Sequence, residues 1–160
     1  MNKVNENSPK LDTQLMNSIL KGDNFPVDEF DSDSFLTNDI NDFFEELFSS
    51  AGMQKSEVIR KANIARTYGY QILNGTRIAE RDYYLRIALA MSLDLRTTQR
   101  LLAVTQSGGL HSLIKRDAAI IFAINHGYDT ERTYEFLLEL GLLPLEKDDE
   151  NDNENNDEPK

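Results

Sequence analysis

The stretch KSEVIRKANIARTYGYQILNG, residues 55–75, decides how this chain folds. Its apolar residues recur at helical spacing in two short blocks, the first around Val58 and the second over residues 68–73. Asn63 lies between the blocks, and asparagine tolerates the left-handed backbone of a tight turn better than any residue except glycine. Gly75 follows the second block, where a helix commonly ends. The stretch therefore predicts two short helices joined by a tight turn.

Helical periodicity continues on both sides of this stretch. Upstream, apolar residues lie on one face of a helix that ends near Gly52: Ile40, Phe43, Phe44 and Leu47. Downstream, four more segments have helical patterns: 83–91, 95–104, 114–126 and 130–140. Gly127 stands where a left-handed C-terminal residue is expected, and Asp129 or Thr130 can cap the last helix. Because no run alternates in the manner of a strand, the sequence predicts an all-α fold.

The landmarks of residues 55–75 resemble the helix-turn-helix of lambda-type phage repressors and the broader Xre family, and the likeness extends over roughly residues 43–102. In that family the second helix lies in the major groove of DNA. The resemblance implies a five-helix, lambda-repressor-like domain with Asn63 at the turn and Ile64 as the apolar plug behind it. It also implies that Val58 and Ile72 meet where the two helices cross, and that Asn74 and Gly75 close the second helix.

Two positions at the crossing of the helices depart from the family pattern. Ile59 stands where the family usually has alanine, and Gly69 stands where it usually has isoleucine or valine. We expect this exchange of a large and a small residue to conserve volume at the contact. The glycine costs about 1 kcal/mol of helix propensity. A third departure is Glu80, an acidic residue in place of the usual Ser or Thr cap, which still favours a helix N-terminus electrostatically.

The resemblance assigns two groups of DNA-contacting positions. Base edges are expected to be read by Arg66, Thr67, Tyr70 and Gln71. Arginine pairs with guanine, glutamine pairs with adenine, and threonine pairs or touches a thymine methyl group. Phosphates are expected to be contacted by Lys55, Asn74 and Arg77, with Arg60 and Lys61 adding positive field. Phosphate contacts set the register on the duplex, whereas base contacts set the sequence preference.

Several of these residues have a competing structural interpretation. Tyr68 and Tyr70 fit the role of covering the gap beside Gly69 as well as they fit contact with DNA. Arg60 and Lys61 also fit an ordinary solvated face. A second basic group on the later helices is explained equally well by ion pairs with acidic neighbours: Arg81, Arg86, Arg96 and Arg100.

Charge is distributed unevenly along the chain, whose net charge is −11. Residues 1–49 hold 3 Lys/Arg and 11 Asp/Glu (−8), residues 50–117 hold 11 and 5 (+6), and residues 118–160 hold 3 and 12 (−9). The basic middle coincides with the two helices of the motif. This pattern motivates the hypothesis that the acidic ends fold over the basic face and compete with DNA phosphates.

Composition divides the chain into four segments. Residues 1–36 are acidic, with a short helical pattern (Leu11, Leu15, Met16, Ile19, Leu20) that Gly22 can end, followed by a linker with Pro26. Residues 37–105 are the predicted DNA-binding domain. Residues 106–146 are predicted to be a helix pair that either extends the core or forms a dimer surface. Residues 147–160 contain no apolar residue and are predicted to be a disordered acidic tail.

The sequence contains no pattern typical of an enzyme, a cofactor site or a metal site. There is no cysteine, and His111 and His126 stand alone, which favours capping or surface roles. Gly108 and Gly109 lack the following Lys and Ser/Thr of a phosphate loop. The first ten residues do not resemble a secretory signal, and no apolar run approaches the ~18 residues of a membrane span, so we expect a cytoplasmic protein.

The expected function is that of a transcriptional regulator that binds double-stranded DNA in a sequence-specific manner. Formation of a homodimer is expected to raise the affinity for DNA, because one module reads only a half-site. The alternative is a protein-interaction adaptor or antitoxin-like module, in which the acidic N-terminal segment binds a protein partner.

Overall fold

The computed structural model describes residues 13–24 and 39–148, which form helices and connecting turns with no β-strand. Helix α1 (Thr13–Leu20) belongs to a unit of its own, Met1–Leu36. The second unit, Thr37–Lys160, contains α2 (Ile40–Ala51), α3 (Lys55–Lys61), α4 (Arg66–Leu73), α5 (Arg81–Ala90), α6 (Leu95–Val104), α7 (Lys115–Asn125) and α8 (Thr130–Glu139). The predicted all-α class is therefore confirmed for the described residues. Leu11, Pro26 and residues 149–160 lie outside them.

The helices begin and end within two residues of the predicted segments, as at 81–90 against a predicted 83–91. Aspartate carboxylates at Asp39, Asp94 and Asp129 each accept a hydrogen bond from the backbone N–H three residues on, at 3.2, 2.8 and 2.7 Å, and so cap α2, α6 and α8. Gly52 and Gly127 have φ of 64° and 68°, the left-handed conformation expected after a helix. Local capping thus fixes the ends of helices that are otherwise too short to be stable alone.

Helix α5 forms the centre of the core. Every residue from 84 to 90 is buried, because α3, α6 and α8 pack around this helix and cover it on all sides. The Tyr84 ring is fully buried, and its hydroxyl accepts a hydrogen bond from the Ala79 N–H at 3.0 Å. Phe43 and Phe44 of α2 are also buried.

Helices α7 and α8 extend this core. Ile120 and Ala123 of α7 and Leu137 of α8 are fully buried, and the pair packs against α6 and α5. Two bidentate ion pairs also join α5 to α7. Arg116 donates to both Asp82 oxygens at 3.1 and 2.8 Å, and Arg81 donates to both oxygens of Asp117 at 3.1 and 2.8 Å. The helix pair thus packs on the core of the same chain, and its role as a dimer surface stays a prediction.

The Asp117 carboxylate is almost completely buried at the start of α7. Burial by itself raises its pKa, but hydrogen bonds from Arg81 and from the His111 N–H, together with the arginine charges, outweigh burial and lower the pKa. This ion pair confirms the interpretation of Arg81 as the partner of an acidic neighbour.

Replacing Asp117 by Asn is expected to lower the free energy of unfolding by about 2 kcal/mol at pH 7, since Arg81 loses its charged partner but remains partly solvated. The folded pKa lies below the unfolded value of about 3.9, so the carboxylate stabilises the fold above that pH and ceases to do so as the pH falls through the folded pKa. Urea unfolding should therefore show the two proteins converging below about pH 4. Asp82→Asn, at a more exposed pair, is the control. A gap of equal size at pH 7 and in acid would contradict the assignment.

Candidate nucleic-acid interface

Helices α3 and α4 are joined by the predicted tight turn. Asn63 has φ of 55°, the left-handed conformation expected at this position. The next residue, Ile64, is 3% exposed and fills the junction behind the turn. Val58 and Ile72 are fully buried, one on each helix. Residues 55–75 thus form two short helices with a left-handed residue between them, and the contact of Val58 with Ile72 stays a prediction.

The crossing of α3 and α4 is unusually close. A Cβ atom built on Gly69 would lie 2.7 Å from Cγ2 and 2.8 Å from Cγ1 of Ile59, and Ile59 is itself 4% exposed. No side chain fits at position 69 unless the isoleucine moves. Ile59 therefore occupies the space that a side chain at position 69 would need, which explains why a glycine occupies the middle of this helix.

The four predicted base-contacting residues lie along α4. Arg66 and Thr67 are exposed in its first turn, and Tyr70 and Gln71 are half-buried one turn later. Tyr68 instead packs edge-on against the Tyr83 ring, with 5.0 Å between centroids. Tyr68 thus packs against a neighbouring helix, and both its covering of Gly69 and its contact with DNA stay predictions.

The predicted phosphate-contacting residues come together from the two ends of the motif. Lys55, the first residue of α3, donates from Nζ to Asn74 Oδ1 at 3.0 Å and to Glu45 Oε1 at 2.9 Å. Asn74 directly follows α4, and Arg77 is exposed three residues later. Gly75 between them has φ of 75°.

The two remaining basic residues of this group lie at the end of α3. Arg60 is exposed, and Lys61 pairs with Glu57 at 3.1 Å across one helical turn. Since both ends of this pair are well exposed, it stabilises the helix only weakly.

The turn also contacts the C-terminal end of the described chain, a contact that the sequence does not reveal. The Asp148 N–H donates to the Asn63 carbonyl at 3.0 Å, and the Ala65 N–H donates to Asp148 Oδ2 at 2.7 Å. The other carboxylate oxygen, Oδ1, accepts from the Arg86 guanidinium at 3.0 Å and from the Tyr83 hydroxyl at 3.2 Å. Asp148 thereby fixes its segment at the residue that precedes α4.

We call residues 145–148 the C-terminal latch. Leu145 is 3% exposed, so the latch begins with an apolar anchor. The Glu146 carbonyl accepts a hydrogen bond from Arg86, and Lys147 forms an ion pair with Glu131. Lys147 and Asp148 were expected to belong to the disordered acidic tail, and for these two residues the expectation is wrong. Lys147 pairs with Glu131, and Asp148 is held by Arg86 and by the Ala65 N–H, partners that composition does not reveal.

Arg86 is the buried partner of the latch, with 5% of its surface exposed. Its guanidinium also lies 4.5 Å from the centre of the Tyr83 ring. Burial, reinforced by the nearby Asp148 charge, raises the pKa of Tyr83, so this hydroxyl stays a hydrogen-bond donor at neutral pH. The ion pair with Asp148 confirms the structural interpretation of Arg86.

The histidines have structural roles, as predicted. His111 Nδ1 accepts a hydrogen bond from the Leu113 N–H at 3.2 Å, and the His126 ring stacks on Phe122 with 3.8 Å between centroids. Within residues 13–24 and 39–148, no group of three His, Cys, Asp or Glu residues could hold a metal ion. No helix in the described part of the chain is long and apolar enough to span a membrane.

Comparison with known proteins identifies no relative for this chain. No family model matches it, and no curated protein or solved structure is significantly similar to it.

Proposed function

We propose that this protein is a sequence-specific DNA-binding transcriptional regulator of the lambda-repressor-like, Xre type, and that α4 is its recognition helix. The observation that carries the proposal is the juxtaposition of Lys55 and Asn74 beside α4, with 3.0 Å between Lys55 Nζ and Asn74 Oδ1. These residues mark the two ends of the motif at which phosphates would be contacted.

The arrangement of side chains on α4 supports the same proposal. Arg66 and Thr67 are exposed in its first turn, the part of a recognition helix that meets base edges. The Asn63 turn and the close crossing at Gly69 hold α3 and α4 in one fixed orientation. A rigid pair of helices suits recognition, because less ordering is needed upon binding.

Base contacts and phosphate contacts should be separable by mutation. Arg66→Ala and Gln71→Ala are expected to relax preference at particular base pairs by about 1–3 kcal/mol each. Arg77→Ala should instead weaken binding evenly across sequences and lower the slope of log affinity against log salt by about 1. Titration of a panel of singly substituted duplexes measures both effects.

Arg100→Ala is the matched control, because Arg100 is an exposed arginine on α6, outside the two helices of the motif. If the α4 variants change binding no more than Arg100→Ala does, α4 is not the recognition helix.

A further inference from the structure

An open pocket of about 460 Å³ lies between α3, the start of α4 and the C-terminal latch. Arg60 and Arg66 line it from the two helices, and Asp148 lines it from the latch. Two arginines thus border an open space that Asp148, the last described residue, also lines. An opening of this kind favours an occupant with several negative charges.

The segment that follows the latch has this chemistry. Residues 149–160 contain six Asp/Glu and one Lys, a net charge of −5. They follow directly from Asp148, which is bonded to the Ala65 N–H at the entrance to α4. Twelve residues extend to at most about 40 Å, whereas α4 with its eight residues is about 12 Å long. The point of attachment therefore puts the whole exposed face of α4 within reach of the segment.

We propose that residues 149–160 bind the arginine-lined face of α3 and α4 and compete there with DNA phosphates. The inference rests on the proposed function for its consequence, but the contact itself does not depend on DNA. Tethering at Asp148 gives the segment a local concentration in the millimolar range, enough for a weak ionic contact to be populated. The interaction is electrostatic between exposed groups, so salt weakens it.

The contact can be tested without DNA in the full chain. The protein has no cysteine, so Asn155→Cys carries a single nitroxide spin label. The matched control carries the same label after its six acidic residues are replaced by Asn or Gln: Asp149, Glu150, Asp152, Glu154, Asp157 and Glu158. At about 50 mM salt, the label on the protein that keeps its acidic residues should broaden the amide signals of Arg60 and Arg66 more than the label on the control does. Added salt should remove the difference. Equal broadening in both chains would overturn the proposal.

Competition is then measured with the unlabelled full-length proteins. Neutralising the six residues should raise DNA affinity about three- to tenfold at about 50 mM salt, with a smaller gain at about 200 mM. An unchanged affinity despite the label-detected contact would refute competition. If neither protein binds DNA while the label on the acidic segment still broadens the Arg60 and Arg66 amide signals, the proposed function fails and the intramolecular contact stands.

Discussion

Replacing Gly69 by Val is expected to lower the free energy of unfolding by about 3 kcal/mol, at the upper end of what overpacking a core costs. The physical reason is the 2.7 Å distance between a Cβ at this position and Cγ2 of Ile59. Valine fits only if α3 and α4 move apart or if Ile59 leaves its place in the core. Its better helix propensity recovers less than 1 kcal/mol of the loss.

Ile59→Ala should remove the cost of Gly69→Val. By itself the alanine removes a buried side chain and costs about 2–5 kcal/mol. In the double variant the valine fills the space that the isoleucine leaves, so we expect the double variant to be about as stable as Ile59→Ala alone. The coupling energy should reach about 3 kcal/mol, the top of the range for residues in contact.

Ile120→Ala is the control for this cycle, because Ile120 is equally buried but lies on α7. Combined with Gly69→Val, it should be additive within about 0.5 kcal/mol. Urea unfolding followed by circular dichroism measures all the variants. Additivity of Ile59→Ala with Gly69→Val would show that the two helices do not cross as described.

Asp148→Ala is expected to destabilise the fold by about 3 kcal/mol, a large effect for a residue so near the chain end. The substitution leaves the Arg86 charge buried without its carboxylate. It also removes the acceptor of the Ala65 N–H bond. An unpaired buried charge costs more than the pair itself contributes, so the loss should be visible in thermal and urea unfolding.

The neighbouring Asp149→Ala removes the same charge one residue later and should change stability by no more than about 0.5 kcal/mol. Adding Arg86→Met to Asp148→Ala should recover part of the loss, because a buried apolar side chain replaces an unpaired charge. If Asp148→Ala behaves like Asp149→Ala, the latch does not contribute to the fold.

The fold of residues 55–75 could be predicted because its signals are local. A positive φ at Asn63 follows from the residues that tolerate it, and the exchange between Ile59 and Gly69 follows from the volumes of two contacting positions. The aspartate cap of α8 is likewise local, because Asp129 immediately precedes the helix that begins there.

The latch could not be predicted, because its signal is non-local. Asp148 lies in an acidic run and finds its partners 62 and 83 residues away, at Arg86 and Ala65. Composition marks such a run as solvated and does not distinguish a carboxylate that has buried partners from one that is exposed. The same limit applies to Asp117, whose partner Arg81 is 36 residues away.

The proximity of two candidate site residues could be predicted, but their function could not. Lys55 and Asn74 were grouped from the sequence and lie together in the structure, while their role as phosphate contacts stays a prediction. Tyr70 is half-buried beside Gly69, and both its packing role and its DNA role remain predictions.

The most direct test of DNA recognition is selection of bound fragments from random double-stranded DNA, with the full-length protein at a low and a high salt concentration. We predict enrichment of one sequence motif that Arg66→Ala changes at defined base pairs, and a palindromic motif would indicate a dimer. No enrichment at either salt concentration would contradict the account and would favour a protein-binding module instead.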